Sequence, residues 1–272
     1  GTQKKADVTG SIATVKGEVL TKAPTPNLAN ALTGKITGVI TTQQSGKPGF
    51  DDPTFLIRGK STFGDNTALV LVDGVERSMS RIDPNEIESV TVLKDAASAA
   101  VYGARGANGV VLITTKRGKA GKTKFSYTGN VGFQQPTIVP KLMNAYDYAT
   151  YLNIAKVNQG EAPRFTPDQV EKFRTGELPS TNWWKSTLKD RAAIQQHNLT
   201  LSGGNATGTK YFVSLGYLDQ DGLYDLSSFK RYNLRANIDN QVTPSLAISL
   251  DIGGRFENLS QSAVGDGLFS TI

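Results

Sequence analysis

From Lys122 onward, apolar and polar residues alternate with a period of two. Phe125, Tyr127, Gly129, Val131 and Phe133 fall on one side of the chain, and Lys124, Ser126, Thr128, Asn130 and Gly132 on the other. This is the pattern of a strand with one greasy and one polar face. It returns in Tyr211, Val213, Leu215 and Tyr217. Tyr232, Leu234, Ala236 and Ile238 repeat it against Arg231, Asn233, Arg235, Asn237 and Asp239. Leu246, Ile248, Leu250, Ile252 and Phe256 do so against Ser249, Asp251, Arg255 and Glu257. Residues 193–203 read as a fifth strand, less cleanly, because Ile194 stands on the opposite face from Leu199 and Leu201.

The first 118 residues have a different texture, with short apolar runs punctuated by Gly, Pro and Asp. Residues 1–20 read as an extended lead-in. A helical turn or two is expected at Asn27–Leu32, then strands at Val39–Thr42 and Thr54–Gly59, and an apolar strand over 68–75 ending in the Asp73-Gly74 turn. Asp83 is a cap residue, with Pro84 at the first helical position and Glu86 at the third. The densest stretch is Ile87–Gly118. A β-branched strand over 88–93 leads to an Ala-rich helix over 95–102, which Gly103 stops. Val110–Thr115 then forms a nearly all-apolar strand suited to cover on both faces. The glycines around Arg105 make a tight return. They lack the order and the Lys-Ser/Thr of a phosphate loop, and they follow a helix where such a loop opens one.

Alternation alone is also what a soluble β-sandwich displays. Strand length and loop asymmetry tip the reading toward a membrane barrel. The runs reach about ten residues, the length a tilted transmembrane strand needs. Short connections at 204–208 and 241–245 alternate with long ones at 134–191 and 219–230, as periplasmic turns alternate with extracellular loops. The longest connection predicts helices over 143–159 and from Thr166, and carries Trp183 and Trp184, read as packing within the loop.

Composition removes several chemistries. With no cysteine among 272 residues, disulfides, thiolate metal sites and cysteine nucleophiles are out. One histidine, His197, provides neither a zinc cluster nor a relay, and it reads as an ordinary polar residue facing the lumen or a neighbour. The net charge of +6 is spread evenly, 14 Lys+Arg against 11 Asp+Glu up to Gly118 and 16 against 13 after it, unlike the clustered cations of a nucleic-acid surface. No apolar run nears the roughly 18 residues of a membrane-spanning helix, and no signal-peptide core opens the chain. Asp51-Asp52 and Asp219-Gln-Asp-Gly222 fall short of a calcium loop. Asp73 and Asp95, isolated at turn and cap positions, do not make an acid-base site, so no enzyme activity and no cofactor is expected.

Several long motifs, in order, carry a resemblance. Asp83-Pro-Asn-Glu-Ile-Glu-Ser-Val, Val92-Leu-Lys-Asp-Ala, Tyr102-Gly-Ala-Arg-Gly-Ala-Asn-Gly-Val and Ile113-Thr-Thr-Lys resemble the plug domain of TonB-dependent outer-membrane transporters of the SusC/RagA family. FLIRG, a short loop and LVLVDGV match the same pattern. The resemblance implies an α+β plug domain over residues 1–118. It is followed over 119–272 by the first antiparallel strands of a large transmembrane β-barrel, with an extracellular insertion at about 135–191. About 22 strands are expected around a plug, so the chain reads as the front of a longer one.

The implied function is TonB-dependent import of a glycan or peptide oligomer across the bacterial outer membrane. The implied partners are TonB, captured through a TonB box just before Gly1, a SusD-like surface lipoprotein lid, and outer-membrane lipid. By motif position the resemblance assigns ionic plug–barrel contacts to Arg58 and Lys94, although many relatives carry Arg where this chain has Lys94; their acidic partners are expected in strands beyond this chain. It assigns ligand contacts to the outward plug loops, at Gln44, Lys47, Phe50, Asp51, Lys60, Phe63, Asp65 and Asn66. Polar residues on the strands, such as Arg231, Arg235, Asp251 and Arg255, suit a wall from which a plug can be moved. The alternative is a soluble binding protein, an α/β domain followed by a β-sandwich.

Overall fold

The computed structural model describes residues 12–22, 25–60, 64–80, 82–95, 99–206 and 208–261. The chain divides into two compact units. One holds Gly1–Gly132, Ala193–Gly222 and Ser227–Ile272, and the other Phe133–Ala192 with Leu223–Leu226.

The N-terminal part of the first unit is built on a five-stranded sheet in the order β1-β6-β7-β4-β5. Its strands are β1 (Ile12–Lys16), β4 (Leu69–Val72), β5 (Val75–Glu76), β6 (Ile87–Leu93) and β7 (Val110–Thr115). β4 and β7 run parallel and the other neighbours antiparallel. The mostly apolar β7 lies in the middle of the sheet, and its Val110, Val111 and Ile113 are buried. Its larger core joins these strands to α1 (Gly17–Leu20) and α2 (Leu28–Leu32) through Leu20, Leu28, Leu32, Ile87, Val90, Val92, Val111 and Ile113. Each such side chain contributes about 1.5–3 kcal/mol by leaving water. On the opposite face a smaller cluster gathers Leu69, Leu93, Ala99 and Val110. A separate hairpin pairs β2 (Val39–Thr42) with β3 (Thr54–Ile57).

Three expectations need correcting here. The lead-in holds the edge strand β1, which pairs Ile12–Lys16 with Leu93–Ser89, and the helical turn α1; weak alternation over so few residues hid both. The helix expected over 95–102 is a 3-10 segment at Ala100–Gly106 that passes through Gly103, where the backbone turns to φ +62; residues 96–98 lie outside the described residues. The strand expected to reach Gly59 ends at Ile57, because Arg58 takes the left-handed conformation, φ +60. The Asp73-Gly74 turn forms as expected, with φ +49 and +86, the pair of positive angles that a tight hairpin of this twist requires.

Five long strands form the second sheet of this unit, in the order β12-β11-β10-β9-β8: β8 (Gly121–Gln134), β9 (Ala192–Gly204), β10 (Thr209–Asp221), β11 (Ser228–Thr243) and β12 (Leu246–Ser260). The described strands make an open antiparallel sheet with β8 and β12 at its edges. Its burial is inverted relative to a soluble sheet. The polar face is covered, with Asn198, Ser214, Arg231, Arg235 and Asn237 all buried. The apolar face is bare: Leu215 is 48% exposed, Leu250 51% and Phe256 65%. The sandwich expected under the alternative reading is absent, since no second sheet packs on that apolar face among the described residues.

A rank of rings crosses the bare face at one register. Tyr127 lies 6.1 Å from His197, His197 6.2 Å from Tyr217, Tyr217 5.0 Å from Tyr232 and Tyr232 6.2 Å from Phe256. Of the two placements expected for His197, lumen or neighbour, the structure shows the second. It sits in this rank, its Nδ1 2.7 Å from the Tyr127 hydroxyl.

The other unit carries α3 (Ala145–Asn158), α4 (Pro167–Thr175) and α5 (Trp183–Thr187). Asn144 caps α3, and Thr166 with Gln169 forms a reciprocal capping box on α4. The Asn153 amide locks the two helices together by exchanging two hydrogen bonds, 2.8 and 2.9 Å, with the Phe165 backbone. Trp184 is half-buried in this unit as expected, whereas Trp183 is exposed.

Candidate functional site: a polar seam along one strand

The polar face of β11 meets the N-terminal domain along nearly its whole length. Arg231, Asn233, Arg235, Asn237 and Asp239 are every second residue of one strand, so all five side chains point the same way over about 27 Å. Arg231 Nη2 donates to the Pro26 carbonyl at 3.0 Å. Arg235 bridges two segments, its Nε donating to Glu86 Oε2 at 2.9 Å and its Nη1 to Asp73 Oδ2 at 3.4 Å. Asn237 Nδ2 donates to the Lys116 carbonyl at 2.8 Å. At the far end the direction of charge reverses: Arg117 donates to Asp239 and Asp251 at 2.9 and 2.8 Å.

Two glycines let the backbones meet. A Cβ at Gly216 of β10 would stand 2.8 Å from Asp83 Oδ2, and one at Gly118 would run into the main chain of Tyr211. A cleft of about 470 Å³ lies beside the Arg235 pair, lined by Arg77, Glu86, Asn233 and Arg255 among others. The seam is thus hydrogen-bonded and partly open to water instead of an apolar seal.

Glu86 is a buried carboxylate of the seam. Expected as the third residue of a cap, it instead turns into the seam from the 3-10 turn Pro84–Glu86, whose cap Asp83 bonds to the Asn85 N–H. Burial pushes its carboxyl above the usual range, and Asp83 adds to this, while Arg235 opposes both. A raised carboxyl pKa stabilises the seated state fully below the ordinary value, and that contribution is lost as pH rises through the raised one. Glu86→Gln is therefore expected to leave seating within about 1 kcal/mol of wild type at neutral pH and to flatten its dependence on pH just above the usual carboxylate range. The check is the melting temperature of the parent protein in detergent against pH.

The residues assigned from motif position are placed elsewhere. Arg58 is exposed, and Lys94 Nζ donates to the Thr37 carbonyl at 3.1 Å; neither is in an ion pair among the described residues. In the first loop, Gln44 is exposed, Lys47 lies 5.3 Å over the Phe50 ring, and burial raises the Asp51 carboxyl. Asn30 Nδ2 donates to the Asp51 carbonyl at 3.0 Å, and a Cβ at Gly49 would touch Phe229 and Leu259, so this loop leans on the sheet. In the second, Lys60 is exposed, the Thr67 side chain and then its N–H, at 2.8 Å, hydrogen-bond Asp65 and lower its carboxyl pKa, and Asn66 Nδ2 donates to the Gly64 carbonyl at 2.9 Å. Phe63 lies outside the described residues. Reasoning from sequence singled out Arg231 and Arg235 by their alternation but missed Asp73, Glu86 and Arg117. They sit in a turn, a 3-10 turn and the irregular segment after β7, where a charge also reads as a solvated residue. Among the described residues no group of His, Asp or Glu is arranged to hold a metal ion.

Comparison with known proteins accounts for this arrangement. Residues 4–110 match the family model of the TonB-dependent receptor plug domain. The chain is 32% identical to TonB-dependent receptor P26 of Formosa agariphila over 98% of its own length and 27% of that protein's. It is 32% identical to TonB-dependent receptor SusC of Bacteroides thetaiotaomicron over 88% of itself and 23% of that protein. Its structure superposes on the RagAB peptide importer in the closed-closed state with a TM-score of 0.79 and 28% identity, over 95% of this chain and 32% of that one. The siderophore receptor PirA from Acinetobacter baumannii shares the fold at 18% identity, with a TM-score of 0.58. The chain thus spans about a quarter of the length of the curated relatives it matches.

A plug domain seated against antiparallel strands of an outer-membrane type of barrel is the class these features define. Within it, residues 4–110 match the plug domain, and the chain as a whole is similar to the N-terminal part of TonB-dependent receptors of the SusC/RagA type.

Proposed function

We propose that this chain forms the plug and the first wall strands of an importer that moves a glycan or peptide oligomer across the outer membrane, driven by TonB. The observation that carries this reading is the inverted sheet, polar and buried toward the N-terminal domain, apolar and bare on the other side. An apolar face of this extent suits lipid, and the rank of rings suits the level of the headgroups. A seam of hydrogen bonds suits a plug that moves under load, because each bond given up can be replaced by one to lumen water.

In this reading residues 1–118 are the plug, 119–272 belong to the barrel, and 135–191 lie outside the cell. TonB engages a box preceding Gly1, and a SusD-like lipoprotein covers the lumen. Arg58 and Lys94 pair with carboxylates on strands beyond β12. Gln44, Lys47, Phe50, Asp51, Lys60, Phe63, Asp65 and Asn66 face the incoming oligomer.

The test is a reversible lock. An added Cβ at Gly216 would stand 2.8 Å from the Asp83 carboxylate, so the two positions face each other across the seam and suit a cysteine pair. With Gly216→Cys and Asp83→Cys in the full-length transporter, uptake of the growth-supporting oligomer should stop on oxidation and return on reduction. Equal uptake by the fully cross-linked and the reduced protein would sink the gating role.

A further inference from the structure

Thr115, the last residue of β7, is 1% exposed and has three polar neighbours from two other parts of the chain. Its Oγ1 lies 2.7 Å from Asp73 Oδ2, 3.2 Å from Arg235 Nη1 and 3.1 Å from Asn237 Nδ2. Arg235 has no acceptor atom, so it donates. Asn237 Nδ2 also donates to the Lys116 carbonyl, which can only accept, and that identifies the nitrogen end of the amide. Both wall residues are therefore donors to the hydroxyl. A hydroxyl has one proton and two lone pairs, so its proton is left to point at Asp73.

The same residue holds the other oxygen of that carboxylate: the Thr115 N–H donates to Asp73 Oδ1 at 2.9 Å. Asp73 is consequently fixed from within the plug, independently of the wall. Glu86 has no such support: among the described residues its buried Oε1 has no hydrogen-bond partner, and its Oε2 takes its bond from Arg235.

We propose that Thr115 is the positioning residue of the seam. It presets the Asp73 carboxylate to receive Arg235 and offers both its lone pairs to β11, so that the wall strand is accepted in one register only. A slip of β11 by two residues would bring Asn233 or Asn237 to the place of Arg235 and leave two plug carboxylates without a cation. The proposal rests on the gated-plug reading but is tested without transport.

The experiment is hydrogen exchange on the full-length transporter in detergent, comparing wild type, Thr115→Val and Thr115→Ser. Valine keeps the shape and removes the hydroxyl, so Arg235 Nη1, Asn237 Nδ2 and Asp73 Oδ2 each lose one of their partners. Exchange should quicken about tenfold or more in both the 69–76 hairpin and the β11 segment. Serine restores the hydroxyl without the methyl, and its rates should return to within about twofold of wild type. Combining Thr115→Val with Asn237→Leu should add less than the two changes separately, because they share one bond. Serine as disruptive as valine would show that the methyl packing carries the effect. Wild-type exchange in the valine variant, or strict additivity of the pair, would also overturn the proposal. If the locked plug still imports while these exchange results hold, the gating reading fails and Thr115 keeps its role.

Discussion

Replacing Arg235 with alanine is expected to weaken plug seating by about 3–5 kcal/mol, the largest effect of any single charge in the seam. Arg235 is 8% exposed, and its partners Asp73 and Glu86 are 15% and 7% exposed, so solvent screens the interaction little. Removing the cation deletes its bonds and also leaves two carboxylates from different plug segments buried side by side. Asp73 retains its bonds from Thr115, whereas Glu86 loses its hydrogen bond and keeps only the charge of Arg231 in its favour. Part of the loss should therefore be recovered by adding Glu86→Gln, which removes the orphaned charge. Arg235→Lys should fall in between, since a single ammonium cannot reach both carboxylates with the planar fork that Nε and Nη1 provide. Urea-dependent protease cleavage of the plug in detergent-solubilised full-length protein measures this. A wild-type cleavage profile for the alanine variant would show that the bridge contributes nothing to seating.

The second large effect is steric. Gly118 passes so close to Tyr211 of β10 that any Cβ meets main-chain atoms, which cannot rotate away as a flexible side chain could. Gly118→Val must therefore displace either the exit of the plug or β10 itself, at a cost toward or above the upper end of the 1–3 kcal/mol usual for overpacking. Melting should drop by several degrees, and the share of protein that migrates as the compact, unboiled form on a denaturing gel should fall. Gly254→Ala is the matched control. Nothing lies within 4 Å of its added Cβ, and its melting should stay within the error of wild type. Equal behaviour of the two variants would mean that the close approach at Gly118 relaxes freely.

Much of the fold was legible in the chain because its signals are local. The period of two after Lys122 marked the long strands, and the nearly all-apolar Val110–Thr115 marked the central strand of the first sheet. The Asp73-Gly74 pair marked the turn that later proved to present Asp73 to the wall. Weak local signals failed where tertiary contact decides. Ile12–Lys16 becomes a strand because β6 offers it an edge. Ala100–Gly106 tightens into a 3-10 path that passes Gly103 before the chain enters β7.

The site divides along the same line. Alternation alone says that Arg231, Arg235 and Asp239 share a face, because the pleat sends every second side chain the same way. It cannot say what that face meets. Arg235 finds Glu86, 149 residues earlier in the chain, and Arg117 finds Asp251, 134 residues later. No periodicity encodes such pairs. The sequence by itself determined a sheet with one polar and one apolar side and the motifs of a plug. Only the tertiary structure decided which side is buried, because burial is a property of what packs against a face, and here it is the polar one.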